Sequence, residues 1–337
     1  MNVTPIYGWK SMETFLLRLH AAFAASVLLA TGGGAGAQSF PVKPMRLIVP
    51  APPGGNIDII GRILQLRMSE VLGQQVVVEY RPGAGGTIGG EAVARSAPDG
   101  YTTGIFAASF VINPSMIRKL PYDSESDFTP LGLIVDVPSG LVVHPSLPVK
   151  SVKELVALAK AHPGEIFYSS AGRGTSGHLA AELLNSRARI KLVHVPYKGA
   201  GPAITDLVGG HVQMLFSSLP AVRGHIGQGG RLRIIAQAGA ARSPSLPEIP
   251  TMQEAGVRDF VVSSGFSYVG PAGIPGPLVE RLNGALVKAV RNPGSRKDFA
   301  AQGADPVGST PDEHAAYIKI EIGKWRKVAN EAGISPQ

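Results

Sequence analysis

The chain contains no cysteine. No disulfide, thiolate nucleophile or cysteine-based metal site is therefore available to it. Charge is also sparse, at 17% against 44% hydrophobic residues. That balance excludes a self-repelling, disordered chain. Aromatic residues make up 6%, and although the net charge is +8, the lysines and arginines are scattered rather than blocked. The footprint of a nucleic-acid binder, a basic run interleaved with aromatics, is missing. A diffuse positive field that attracts anionic solutes fits the charge better. Beyond the N-terminus, no segment reaches the roughly 18 uninterrupted apolar residues of a membrane span.

The first residues read as an export signal. Lys10 and Arg18 precede an apolar run from Ala21 to Ala30, and Ala35-Gly36-Ala37 offers a small-x-small cleavage site before Gln38. Met1 and Met12 are both usable starts. Residues 1–37 carry Lys10, Arg18 and Glu13, a net of +1, so the mature chain keeps +7 of the +8. The expectation is a soluble mature protein in the periplasm.

Glycine and proline are plentiful, at 42 and 28 residues, but they fall at turns between apolar runs. Met45–Pro50, Gln75–Tyr80 and Tyr101–Ala108 read as buried strands. Helices follow the first two, one carrying Ile59, Ile60, Ile63, Leu66 and Val71 and ending at Gly73, the other near 88–96. This βαβαβ series predicts a parallel sheet with helices on its faces. Pro138–His144 reads as a crossing or a new start, and a second α/β series follows through strands at 166–170, 191–195, 212–216 and 232–238, with helices at 152–161, from Ser176, at 202–208 and at 221–228. Capping boxes stand at Ser151–Glu154, Thr251–Glu254 and Thr310–Glu313. A long strand is expected over 260–269, then helices at 277–291 and 295–302 and a last one with Tyr317, Ile318, Ile322, Trp325 and Val328 on its apolar face. Trp325 should dock that helix into the first lobe.

Three glycine-rich turns lie where a strand pattern feeds a helix pattern: Pro52–Asp58, Pro82–Thr87 and Ser169–His178. Such turns expose backbone N–H groups at a helix start, where the dipole favours negative charge. No catalytic kit accompanies them. Gly172-x-Gly174-x-x-Gly177 has the form of a dinucleotide fingerprint, but the acid expected about 20 residues on is replaced by Pro196-Tyr197-Lys198. Ser176 and His178 lack a nucleophile elbow and an orienting acid. The histidines show no paired metal-ligand spacing. Asp58 has two readings, cap of the following helix or contact to a ligand. Ser170, Thr175 and Ser176 either cap a helix or hold a carboxylate. His178 either packs or lines a pocket.

An ordered series of stretches resembles the substrate-binding receptors of tripartite tricarboxylate transporters, the Bug family. It comprises Arg46–Pro50, Gly54-Gly55 with Asp58, Arg81–Gly86, Pro98–Thr102, Leu120–Asp123 and Asp127-Phe128. It continues with Ser170-x-Gly172-x-Gly174-Thr175, His178–Ala180, His194–Gly199, Pro250-Thr251, Glu254–Gly256, Arg281–Asn283 and Lys324-Trp325. The resemblance implies an α/β, two-lobed type II periplasmic binding protein with its ligand cleft between the lobes. Residues 38–139 and 258–337 would form one lobe, and 140–257 the other. It implies a small carboxylate as ligand, membrane permease subunits as partners, a monomer, no cofactor, no metal and no catalysis. The ligand-binding residues expected are Gly54, Gly55, Asn56, Asp58, Ser109, Phe110, Ser170, Gly172, Gly174, Thr175, Ser176, His178 and Tyr197. Ala51, Asn56 and Ile57 depart from the family's usual Phe, Gly and Thr. Together with Phe110 on an expected cleft loop, they suggest a ligand with an apolar or aromatic body. A periplasmic hydrolase or NADP-dependent enzyme, and a subunit presenting its ligand to a sensor kinase, are the alternatives.

Overall fold

A computed structural model describes residues 40–227, 229–244 and 246–336. The signal, its cleavage site at Ala37 and the start at Met12 lie outside the described residues, as does Gln228 of the expected helix 221–228.

The first half of residues 43–337 follows the apolar runs closely. It comprises β1 (Met45–Val49), α1 (Asn56–Leu72), β2 (Val76–Tyr80), α2 (Thr87–Ala94), β3 (Thr102–Phe106) and α3 (Ser109–Met116). The buried stripe of α1 is Ile60, Leu64, Met68 and Leu72, a strict four-residue repeat. Leu66 faces solvent at 51% exposure, because it sits half a turn from that stripe. Strand β2 is an edge strand rather than a fully buried one, and Val77 is exposed.

The second half contains α4 (Val152–Ala161), β5 (Phe167–Ser170), α5 (Ser176–Ala188), β6 (Val193–Pro196), α6 (Ala200–Val208), β7 (Met214–Ser218), α7 (Leu219–Val222) and β8 (Arg233–Gln237). The chain ends with β9 (Ser263–Pro271), α8 (Gly276–Arg291), α9 (Pro293–Ala301), β10 (Asp305–Pro306) and α10 (Pro311–Glu331). At Thr251 the reciprocal bonds of a capping box form, Glu254 N to Thr251 Oγ1 at 3.1 Å and Thr251 N to Glu254 Oε2 at 2.8 Å. No helix follows, because the chain turns away at Gly256. The box is a local device and does not by itself propagate a helix. At Thr310 the same motif does open α10.

The expected parallel sheet is mixed. Its strand order is β2-β1-β3-β9-β4-β7-β5-β6, with β8 and β10 also on β4 (Phe128–Val143). The parallel triplets β2-β1-β3 and β6-β5-β7 repeat one plan, each bordered by an antiparallel strand. For the first triplet that strand is β9, and for the second it is β4. Residues Phe128–Pro138 of β4 pair with β9, whereas Ser139–Val143 pair with β7 and β8. One long strand therefore belongs to both halves. Its N-terminal part was not expected from the sequence, because Pro130, Gly132 and Pro138 interrupt the strand pattern and the pairing that stabilises it is non-local.

One hydrophobic cluster reaches from Ile48 and Phe106 in the first half to Tyr168, Leu179 and Met214 in the second, and includes Trp325. Helix α10 packs on α3 and β4 and also on α5. Its link to α5 includes Ser186 Oγ donating to Glu331 Oε2 at 2.7 Å. Trp325 is thus not a plug for the first half alone. No helix among the described residues is long and apolar enough to cross a membrane.

Candidate functional site

The topology brings the turns after β1, β3, β5 and β6 to one place, since each leads from the C-terminal end of a parallel strand into a helix. Two adjoining cavities lie there. The smaller, about 360 Å³, takes its walls from Asn56 and Ile57, from Thr175 to Gly177, from Ala200, and from Ser139, Ser217, Ser218, Ser264 and Phe266. No lysine, arginine, histidine, aspartate or glutamate lines it. The larger, about 910 Å³, shares Ala107, Thr175, Ser176 and Ser264 with it. It carries the charged and titratable groups, Arg173, His178, Glu182 and His194, and it is bounded by Ala332–Pro336.

Helices α1, α5 and α6 all begin at the smaller cavity, and none of them has a side-chain cap. Thr175 stands at the N-cap of α5, yet its hydroxyl donates to the Gly172 carbonyl at 2.8 Å instead. By contrast Ser151, Asn292 and Thr310 cap α4, α9 and α10, and none of them lines either cavity. Uncapped N–H groups in the first turn of a helix carry partial positive charge and need an acceptor. The cavity therefore offers donors and hydroxyls without a formal charge.

The third glycine turn is held by its own backbone and by two histidines. Gly172 and Gly174 have φ values of 133° and 75°, which a side chain would strain. A Cβ on Gly177 would lie 2.6 Å from the Phe216 carbonyl oxygen. The third glycine of the fingerprint thus serves the close approach of α5 to β7. Gly174 N donates to His178 Nδ1 at 3.1 Å. Ser170 Oγ donates to the Gly172 carbonyl at 3.0 Å and lies 2.7 Å from His194 Nε2. Donor counting then makes His178 neutral, with its proton on Nε2, and makes His194 Nε2 the donor to Ser170. The two imidazoles stack at 4.0 Å, and Tyr168 stacks on His194 at 4.9 Å. Tyr168 donates to Glu182 at 2.5 Å. Burial pushes the His194 pKa down to about 4, with help from His178 and Arg173. Burial also lowers the His178 pKa, Arg173 adds to that, and Glu182 opposes it.

This pair predicts an acid-side loss of stability. Each folded-state pKa lies below the ordinary histidine value of 6.5, so the fold favours the neutral rings. Their contribution is intact above that value. It is lost as the pH falls from there toward about 4 for His194, where the unfolded chain binds protons that the folded chain refuses. Urea titrations from about pH 7 to about pH 4 should show a shallower decline for His194→Gln than for the parent. Parallel declines would mean that the histidines do not set it.

The expected site residues divide. Asn56, Ser109, Gly174, Thr175, Ser176 and His178 line one or both cavities. Gly54, Gly55, Asp58, Phe110, Ser170, Gly172 and Tyr197 do not. Asp58 is 3% exposed and fully engaged. It accepts from Gly54 N at 2.7 Å, Tyr80 Oη at 2.6 Å and Arg62 Nε at 2.9 Å. Burial would raise its pKa, but those three bonds hold it below the usual aspartate range. Asp58 thus fixes the first turn from beneath. Phe110 is 1% exposed and packs against Phe106, Tyr122 and Phe128. The expected loop there is the start of α3, whose inward face is core. Ser170, at 0% exposure, braces the third turn. Tyr197 donates to Asp206 at 2.5 Å, and burial together with that bond pushes its pKa up to about 12. Gly54 and Gly55 shape the turn before α1, and Gly172 shapes the turn before α5. Sequence reasoning missed Ser139, Ser217, Ser218, Ser264 and the stacked His194. Of these only His194 carried a signal, its place in the His194–Gly199 stretch. The serines sit on strands and at strand ends that only the sheet order brings together.

The family model described as "Tripartite tricarboxylate transporter family receptor" matches residues 60–334. Protein BugT of Bordetella pertussis is 39% identical over 312 residues, which cover 91% of this chain and 95% of BugT. The solved structure of R. palustris Rpa4515 with adipate is 35% identical, with a TM-score of 0.75 over 88% of this chain and 100% of that one. MatC from Rhodopseudomonas palustris with bound malate is 30% identical, with a TM-score of 0.70 over 86% of this chain and 99% of that one.

Proposed function

This chain belongs to the tripartite tricarboxylate transporter family of receptors, and on that premise we propose that it captures a small organic carboxylate in the smaller cavity and delivers it to membrane permease subunits. One observation carries the reading: a cavity with no charged lining residue onto which three helix N-termini open without caps. A carboxylate supplies the acceptors that those N–H groups lack, and Ser176, Ser218 and Ser264 add hydroxyls. A volume of about 360 Å³ suits a small organic acid, as adipate and malate are in the two relatives. Phe266, Leu215 and Ile57 give the ligand an apolar wall, so the apolar-body preference is carried by Phe266 and not by Phe110.

The working protein is the mature chain from about Gln38, exported to the periplasm and acting as a monomer. Residues 38–139 and 258–337 form one lobe, and 140–257 form the other. The change of partner along β4 between Pro138 and Ser139 supports the first boundary. Closure of the lobes over the ligand would tighten the N–H contacts and shut out water. No bond is made or broken. The Ser170–His194 contact does not favour a hydrolase, because Ser170 is buried and its proton is committed to Gly172.

Calorimetric titration of refolded, ligand-free protein with adipate, malate, citrate, benzoate and NADP tests this. One-to-one binding of a carboxylate that is recovered unchanged is the expected result. Turnover, or binding of NADP alone, would overturn it.

A further inference from the structure

A groove of about 550 Å³ shares no lining residue with either cavity. Helix α4, the last turn of α5 and the turn 255–259 build it. Val152, Val156, Ala188 and Val257 form a buried or half-buried apolar floor. Lys153, Lys160, Arg187 and Arg258 stand exposed around it, against the single acid Asp259. Among the described residues, none of these four cations makes an ion pair or a side-chain hydrogen bond. The acids close by in the chain are committed elsewhere. Glu154 Oε2 accepts from Lys150 N at 2.7 Å, and Glu254 Oε2 is held by Arg242 at 2.7 Å and Thr251 N at 2.8 Å.

Four unpartnered cations around one groove repel each other, and they do so on a mature chain that is already +7. An anionic occupant relieves that repulsion. Lys153 and Lys160 stand seven residues apart on one helix, which is two turns, roughly 10.5 Å along the axis, on the same side. One phosphate or one carboxylate would have to draw both side chains inward over that span. Two acids two turns apart on a helical segment would meet both where they stand, and the apolar residues between them would meet Val156. A second copy of the mature chain would bring +7 against +7. A bilayer surface is too flat to reach a floor set between two helices and a turn. We propose that this groove docks an acidic, amphipathic peptide segment of a protein partner. A segment of a membrane subunit facing the periplasm would meet that description, and docking there stands whether or not the cleft holds a carboxylate.

The test uses the chain 38–337 and a fluorescent helical peptide with two glutamates seven residues apart and leucines between, followed by anisotropy at about 0.1 M salt. The parent is expected to bind. The double variant Lys153→Glu/Lys160→Glu and the single variant Arg258→Glu should each weaken binding at least tenfold, as should a glutamine version of the peptide. The matched reversal Arg118→Glu/Lys119→Glu, away from the groove, should leave it unchanged. Melting followed by circular dichroism shows that each variant is folded, independently of any ligand. No binding to the parent, equal loss in the Arg118/Lys119 control, or preference for phosphatidylglycerol vesicles or an oligonucleotide over the peptide would overturn the proposal.

Discussion

Replacing Ser176 with Asp should raise the melting temperature while weakening carboxylate binding at least about a hundredfold. The two effects have one cause. Ser176 is the first residue of α5, whose N-terminus has no side-chain cap. A carboxylate there interacts with the helix dipole and stabilises the fold by about 0.3–1 kcal/mol. It also occupies the place offered to the ligand, since Ser176 lines both cavities. Two like charges about 4 Å apart repel by about 4 kcal/mol in a partly screened site, and a hundredfold loss needs only about 2.7 kcal/mol of that. A variant that merely damaged the site would lose both stability and affinity. Calorimetric titration paired with thermal melting checks this. A higher melting temperature with unchanged affinity would place the carboxylate away from α5 and sink the smaller-cavity reading.

Truncating Trp325 to alanine should cost about 3–5 kcal/mol and lower the melting temperature by roughly 10 °C. Trp325 is fully buried, at 0% exposure. It lies in a cluster that joins residues of both sheet halves. Its helix packs on α3, β4 and α5, so the hole opens where the halves meet. Trp325→Phe should be much milder. The indole Nε1 has no hydrogen-bond partner among the described residues, so removing that donor relieves a burial cost while most of the ring volume stays. Urea unfolding of both variants measures the difference. Losses under about 1 kcal/mol for the alanine variant would mean that α10 is not part of the cooperative core.

The elements legible in the sequence were those set by neighbours in the chain. The apolar runs of β1, β3 and β5, the Thr310 box that opens α10 and the glycine turns rest on contacts within a few residues. Where a local device needs a distant partner, the chain alone does not show the outcome. The Thr251 box forms its bonds and starts no helix, and β4 runs through Pro130 and Pro138 because β9 and β7 hold it. The site shows the same division. Asn56, Thr175 and Ser176 line the smaller cavity from helix starts, which mark themselves locally in the sequence. Asp58, Ser170 and Phe110 are buried behind the turns, a placement that polarity and ring type do not reveal.

The sequence by itself determined an α/β receptor of this family with glycine turns at helix starts, since composition and motif order are properties of the chain alone. Only the tertiary structure decided which of those turns open onto one uncharged cavity and which side chains brace them from behind. It also stacked His194 on His178 and left four cations around a groove of their own. Those outcomes depend on strand order and on burial, which are fixed by contacts between residues far apart in the chain.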